Sequence, residues 1–329
     1  MLKVSSIEIR GPFATAGVSA SASRQRVFTC YPKAAAEEEA CARQIVDTLG
    51  RRAFRRPLEA ADRDALMAAF ASARKDRTFD DGIRGVITRA LSSPEFLYRA
   101  EPAPANATPG STYRLTDLEL ASRLSFFLWS SVPDDELLDV ATRGELGQDA
   151  VLEQQVRRML KDPRSRSLAR SFAFQWFGLG KLADIEPDPA VFPYVATHRD
   201  IDGDLRGEMR EEIALFVDSV FRENRSVMDL IDGDWTYLNE RLAVHYGIAD
   251  VKGDQFRRVQ LRNSVRRGLL GKAGILMVTS YPNRTSPVLR GAWILENLSG
   301  TPPTPPPPNV EALKDIPAGE KVLTLRDQM

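Results

Sequence analysis

From residue 34 onward the apolar side chains recur at steps of three and four, and nearly every such stretch runs into a glycine or a proline. That spacing places the apolar groups on one face of an α-helix, and the breakers keep each helix short. A chain patterned this way must bury many short amphipathic helices against one another. The predicted fold class is therefore mainly α: multi-helix bundles, with a short β remnant at the N-terminus and a polyproline II segment near the C-terminus. Ile45, Leu49 and Phe54 mark a first helix ended by Pro57; Leu66, Met67 and Phe70 mark a second; Ile83, Val86, Ile87 and Leu91 mark a third. Thr116, with Glu119 three residues on, forms a capping box for the next. Further helices are expected at 151–160, 165–177, 204–224, 236–246 and 265–278. Ser286, Pro287, Gly300 and Pro302 punctuate the last one.

Ahead of the helices, Val4, Ile7 and Ile9 alternate with polar residues, and residues 26–30 resemble a second strand. Two strands alone are rarely stable, so they read as the tail of an upstream β-domain. A short strand is also expected at 256–261. Residues 302–308 are nearly all proline, a stiff extended spacer. The chain divides on this reading into a β remnant (1–33), an N-terminal helical domain with linker (34–110), a central helical domain (111–250) and a C-terminal helical segment with a proline-rich tail (251–329).

Lys+Arg and Asp+Glu both number 45, so net charge is zero and no basic surplus points to nucleic acid or an anionic membrane. No apolar stretch reaches the roughly 20 residues that span a bilayer. The N-terminus lacks the basic start and apolar run of a secretory leader. Cys30 and Cys41 are the only cysteines. They fit either a single disulfide in an oxidising compartment or two unlinked buried thiols. Two cysteines and two distant histidines supply too few ligands for a metal, and none is expected.

Few residues point to chemistry. Gly268-Leu-Leu-Gly-Lys-Ala-Gly274 superficially resembles a phosphate loop, but the spacing is short by two and Ala273 stands where magnesium needs a hydroxyl. Glycines for close packing are expected instead. Glu208, Glu211 and Glu212 lie on neighbouring helical turns, where they could act as acid–base groups; a solvated face paired with Arg206 and Arg210 is the expectation. His245 could serve as a base or a haem ligand, and His198 is the only other histidine. Arg51, Arg52, Arg55 and Arg56 suit a helix C-terminus. The aromatic groups Phe126, Phe127 and Trp129, and Phe172, Phe174, Trp176 and Phe177, are expected in the core. Arg284, Thr285, Ser286 and Arg290, around the start of the last helix, could hold an anion.

Taken together, several stretches resemble one family. They include Ile7-Glu-Ile-Arg-Gly-Pro-Phe13, the Cys30/Cys41 pair, Arg51-Arg-Ala-Phe-Arg-Arg-Pro57 and Ser93-Pro-Glu-Phe-Leu-Tyr-Arg99. Further on come Arg123-Leu-Ser-Phe-Phe-Leu-Trp-Ser-Ser-Val-Pro-Asp-Asp135, Tyr237-Leu-Asn-Glu-Arg-Leu-Ala-Val-His-Tyr-Gly247 and Arg284-Thr-Ser-Pro-Val-Leu-Arg-Gly-Ala-Trp-Ile-Leu-Glu296. They are similar to the planctomycete- and myxobacterial-type envelope proteins carrying domains of unknown function fifteen-ninety-five, fifteen-ninety-two and fifteen-eighty-eight in series. The resemblance implies export to the periplasm or cell envelope, with a cytochrome-like region and a β-rich module of the parent as partners. It also implies a Cys-x-x-Cys-His haem motif beyond the Leu325-Arg-Asp-Gln-Met329 segment, so haem c belongs to the parent and no cofactor to this chain. On that basis the chain is expected to be the helical scaffold portion of an exported, haem-c-associated protein with a redox role. The alternatives are a non-catalytic surface scaffold or polysaccharide binder, and a hydrolase using Glu208, Glu211 and Glu212.

Overall fold

A computed structural model of the chain describes residues 21–105, 107–108, 110–192, 205–262 and 265–304. The chain is mainly α-helical and forms two compact units, Met1–Leu168 and Ala169–Met329. This division falls inside the central stretch 111–250. No helix among the described residues is long and apolar enough to cross a membrane.

Unit one contains α1 (Ala22–Val27), α2 (Glu38–Phe54), α3 (Ala60–Arg74), α4 (Phe79–Leu91), α5 (Pro94–Leu97), α6 (Asp117–Trp129), α7 (Asp135–Thr142) and α8 (Asp149–Lys161). The helix α9 (Arg166–Trp176) carries the chain across the unit boundary. Residues 26–30 are not a strand: Ser21 caps α1, which runs through Val27. The remaining strand expectation, in residues 2–20, lies outside the described residues. One apolar cluster joins Ile45 and Val46 of α2 to Ile83 and Val86 of α4, all fully buried. A second gathers Leu137, Leu146 and Met159 around Trp129, whose indole N–H donates to Met159 O at 3.0 Å.

The four arginines ending α2 have structural partners. Arg51 pairs with Asp139 and Arg52 with Asp135, tying the end of α2 to the start of α7. Arg55 takes a left-handed conformation (φ 59°) and donates to Glu95 O at 2.6 Å and Tyr98 O at 3.0 Å. Arg56 pairs with Asp62 at 2.5 Å. The capping box at α6 forms in both directions, with Glu119 N donating to Thr116 Oγ1 at 3.3 Å and Thr116 N to Glu119 Oε2 at 2.8 Å.

A disulfide joins Cys30 to Cys41, anchoring the segment ahead of α2 to its first turn. Removing a link that closes a loop of this size restores conformational freedom to the unfolded chain, and the expected loss is about 2–3 kcal/mol. Urea unfolding of the Cys30→Ala/Cys41→Ala protein should show a lower midpoint for unit one. Dithiothreitol should then leave that midpoint unchanged while lowering the wild-type value.

Unit two is built on α10 (Leu205–Arg222), with α11 (Asp229–Asp232), α12 (Glu240–His245), α13 (Ala273–Val278) and α14 (Pro287–Asn297). Phe177, Ile213, Phe216 and Trp235 are buried together at its centre. Two corrections to the sequence reading arise here. Residues 236–246 are not one helix: Trp235–Leu238 form β1, paired antiparallel with β2 (Arg257–Gln260), and α12 starts only after Asn239, whose side chain accepts the Leu242 N–H at 3.0 Å. Thr236 and Tyr237 favour the extended form, and the partner strand lies some twenty residues away. The helix expected at 265–278 is likewise shortened to Ala273–Val278. Gly268 adopts φ 55°, ψ −164°, a conformation that stops a helix, and only a single 3-10 turn (Leu269–Gly271) precedes α13.

The aromatic clusters are mixed rather than uniformly internal. Trp129 and Phe177 are buried, but Phe127 is 61% and Phe172 45% exposed, which removes those two from the core. Of the proline tract, residues 302–304 are exposed without regular structure, and the rest lies outside the described residues.

Candidate functional site

A cavity of about 260 Å³ opens in unit two. Its wall is assembled from short elements that punctuation residues hold in place. Ser286 caps α14 by accepting the Leu289 N–H at 3.2 Å, and Pro287 fills the first turn, where no N–H is needed. This sets Arg290 one turn into the helix. Ahead of it the backbone folds back in a Ser280–Thr285 bridge, with Tyr281 N donating to Arg284 O at 2.9 Å. Thr285, Arg284 and Tyr281 thereby face the same cavity as Arg290. The end of α12 brings His245, and the turn before Gly268 brings Arg266. Met209, Leu276 and Met277 form an apolar side.

Among the described residues, three arginines and one histidine line this cavity, and no carboxylate does. Arg290 Nη2 donates to Thr285 Oγ1 at 3.0 Å, while its Nε–H is buried with no hydrogen-bond partner. A buried donor left unpaired is unfavourable by about 1–3 kcal/mol, and native structures rarely leave one so. The Arg284 guanidinium lies over the Tyr281 ring at 4.5 Å, and that of Arg266 over Tyr246 at 4.5 Å. Burial, and after it the charge of Arg266, holds the His245 imidazole below its ordinary range, so it is neutral at pH 7. In unit one a larger cavity, about 570 Å³, mixes Arg55, Arg56 and Arg99 with Glu95, Glu101 and Glu119 and lacks this one-sided charge.

A polar network lies buried in the same unit. Glu212 is fully buried, which overturns the expectation of a solvated face. Thr236 Oγ1 donates to Glu212 Oε1 at 2.5 Å and Tyr246 OH donates to Oε2 at 2.6 Å; the Tyr246 oxygen in turn accepts the Ala273 N–H at 2.7 Å. Lys272, also fully buried, donates to Trp235 O at 3.1 Å and sits 4.3 Å from the Phe216 ring centre. Burial pushes Glu212 up, against the pull of Lys272 and its hydroxyl donors, and pushes Lys272 down to about 8. Burial likewise drives Tyr246 well above its usual value.

Of the residues singled out in the sequence, the structure brings together His245, Arg284, Thr285 and Arg290. Ser286 is spent on capping and does not line the cavity. Glu208, Glu211 and Glu212 do not converge: Glu208 pairs with Arg241 at 2.7 Å, Glu211 pairs with Arg170, and Glu212 belongs to the buried network. Arg206 donates to Ala183 O and Ile185 O, and Arg210 lies over the Phe174 ring. His198 lies outside the described residues. Arg266, Tyr246 and Thr236 were not singled out as site residues in the sequence, and Lys272 was read only as part of the loop-like Gly268–Gly274 run, set aside for packing glycines. The Arg266-Arg267 pair looks like an ordinary basic surface run.

Among the described residues no three His, Cys, Asp or Glu side chains come close enough to hold a metal. The haem c implied by the family resemblance does not fit this chain's own donors. Covalent attachment needs two thiols in Cys-x-x-Cys-His, whereas Cys30 and Cys41 are bonded to each other and no such motif occurs in the sequence.

Comparison with known proteins finds three family models along the chain. PSD5, a protein of unknown function (DUF1595), matches residues 41–101; PSD4 (DUF1592) matches 115–248; PSCyt3 (DUF1588) matches 266–329. No curated protein and no solved structure matches the chain. His245 falls in the second matched stretch, and Arg266, Arg284 and Arg290 fall in the third, so the cavity draws on both. The chain is three domains of unknown function in series, DUF1595, DUF1592 and DUF1588, in the planctomycete-type cytochrome-c-associated arrangement.

Proposed function

We propose that this chain is the helical scaffold of an exported, haem-c-associated protein, and that its own contribution is to bind a small organic anion in the unit-two cavity. The observation that carries the binding reading is the cationic side of the described wall, where Arg290 keeps one buried guanidinium N–H without a partner and Arg266 stands on the same cavity. Guanidinium groups hold carboxylates through paired charge-assisted hydrogen bonds, which are stronger than neutral ones. The apolar side formed by Met209, Leu276 and Met277 asks for an apolar body behind the charged head. At about 260 Å³ the cavity lies below the roughly 300–1,000 Å³ of sites for drug-sized ligands, which limits the body to about one ring.

Benzoate supplies these features and serves as the probe. Calorimetric titration of the full chain should show saturable binding, weakened about tenfold or more by Arg290→Gln, with the far-UV spectrum unchanged. Absence of saturable benzoate binding, or binding indifferent to Arg290→Gln, would count against the site. For the haem association, the reading requires a haem c spectrum from the protein purified from its native source.

A further inference from the structure

The guanidinium groups of the cavity wall can only donate hydrogen bonds. Its hydroxyls are partly engaged: Ser280 Oγ donates to Leu276 O at 2.7 Å, and Thr285 Oγ1 accepts from Arg290 at 3.0 Å. His245 is different. Its ring lines the cavity, packs near Tyr246 with centroids 5.8 Å apart, and makes no hydrogen bond to any described residue. Kept neutral by burial and by Arg266, it offers one N–H and one lone pair. A guanidinium can meet only an acceptor, whereas a neutral imidazole can also meet a donor. That unengaged lone pair suits a ligand that brings its own proton. The neighbouring thioethers of Met209 and Met277 suit the face or edge of an aromatic ring.

We propose that the cavity is specific for a small phenolic acid, with the carboxylate held by Arg290 and the phenol hydroxyl donating to His245. This rests on the anion-binding reading above and adds to it the ring and the hydroxyl. His245 acts here as a specificity residue, and no bond is made or broken in the ligand.

The test compares benzoate, 3-hydroxybenzoate and 4-hydroxybenzoate, titrated into the full chain at pH 7.5. At least one hydroxybenzoate should bind about tenfold more tightly than benzoate, the value of one well-made hydrogen bond. His245→Ala should erase that preference, so that the three acids bind alike whatever their common affinity, while His245→Gln, which keeps an acceptor, should retain part of it. Circular dichroism on both variants separates a lost contact from a lost fold, and if His245→Ala does not fold, His245→Gln against wild type decides. Equal affinity for all three acids in the wild type overturns the phenolic specificity but leaves the anion site standing. A preference that survives His245→Ala overturns the role of His245. If benzoate itself does not bind, the anion reading fails, and this inference fails with it.

Discussion

Replacing Glu212 by alanine should destabilise unit two by about 3–5 kcal/mol, the range seen when one partner of a buried charged network is removed. The side chain is fully buried, and three polar neighbours depend on it: the hydroxyls of Thr236 and Tyr246, and the ammonium of Lys272. Without the carboxylate, both hydroxyls lose their acceptor and Lys272 keeps a charge with no counter-ion. Glu212→Gln should be milder, because the amide oxygen still accepts one hydroxyl. The Glu212→Gln/Lys272→Met pair should lose less than the sum of its single changes, since it removes both charges together. Urea unfolding of the wild type, Glu212→Ala, Glu212→Gln, Lys272→Met and the double variant decides the matter, and strict additivity of the Gln and Met changes would show that the two charges are not coupled.

The same network predicts a pH dependence. Lys272 titrates near 8 when folded, against 10.5 for an ordinary lysine. Between those values the unfolded chain binds the extra proton, so this group's contribution is present above about 10.5 and is lost as pH falls through about 8. Glu212 runs the other way: its contribution is present below 4.5 and is lost as pH rises through its elevated folded value. Tyr246 and Arg266 face the same network, so the comparison of wild type with Lys272→Met reads the lysine together with its coupling to Glu212. The wild type should gain stability relative to Lys272→Met as pH rises from 8 to 10.

Gly268→Ala should be at least as damaging, with an expected loss of about 4 kcal/mol or more. The residue sits at φ 55°, ψ −164°, a conformation that essentially only glycine adopts. An added Cβ would also lie 1.9 Å from Ile231 O, which is backbone and cannot swing aside. The main chain would have to move, breaking the 2.9 Å bond from Gly268 N to Gly233 O and unseating the turn that carries Lys272. For a unit of this size that loss corresponds to a fall of roughly 10 °C or more in melting temperature. Gly253→Ala is the control: it too has positive φ, but nothing lies within 4 Å of its Cβ, so only the backbone strain of about 1 kcal/mol should appear. Similar losses for the two variants would show that the contact with Ile231 is unimportant.

Local features were legible from residue order because their causes are local. A cap is a hydroxyl three residues from the N–H it accepts, so Thr116 with Glu119 and Ser286 with Pro287 could be read directly. The helical stripes of α2, α4 and α10 were legible for the same reason: a helix repeats every 3.6 residues wherever it ends up. The anion candidates Arg284, Thr285 and Arg290 lie within one turn and one bend of each other and were found together. Family motifs spread over most of the chain, and their serial order was recognisable without coordinates.

What the residue order could not reveal depends on partners far along the chain. Trp235–Leu238 became a strand because Arg257–Gln260 lies beside it, overriding a helical-looking spacing. Glu212 sits among Arg210, Glu211 and other polar neighbours and reads as surface. It is buried because Thr236 and Tyr246, 24 and 34 residues away, close over it with hydroxyl donors. Lys272 and Arg266 look like ordinary basic residues until burial and convergence give one a shifted proton affinity and the other a place in the cavity wall. Periodicity and capping act over a few residues, whereas burial of charge is settled only when distant segments meet, and that is where this chain's candidate chemistry lies.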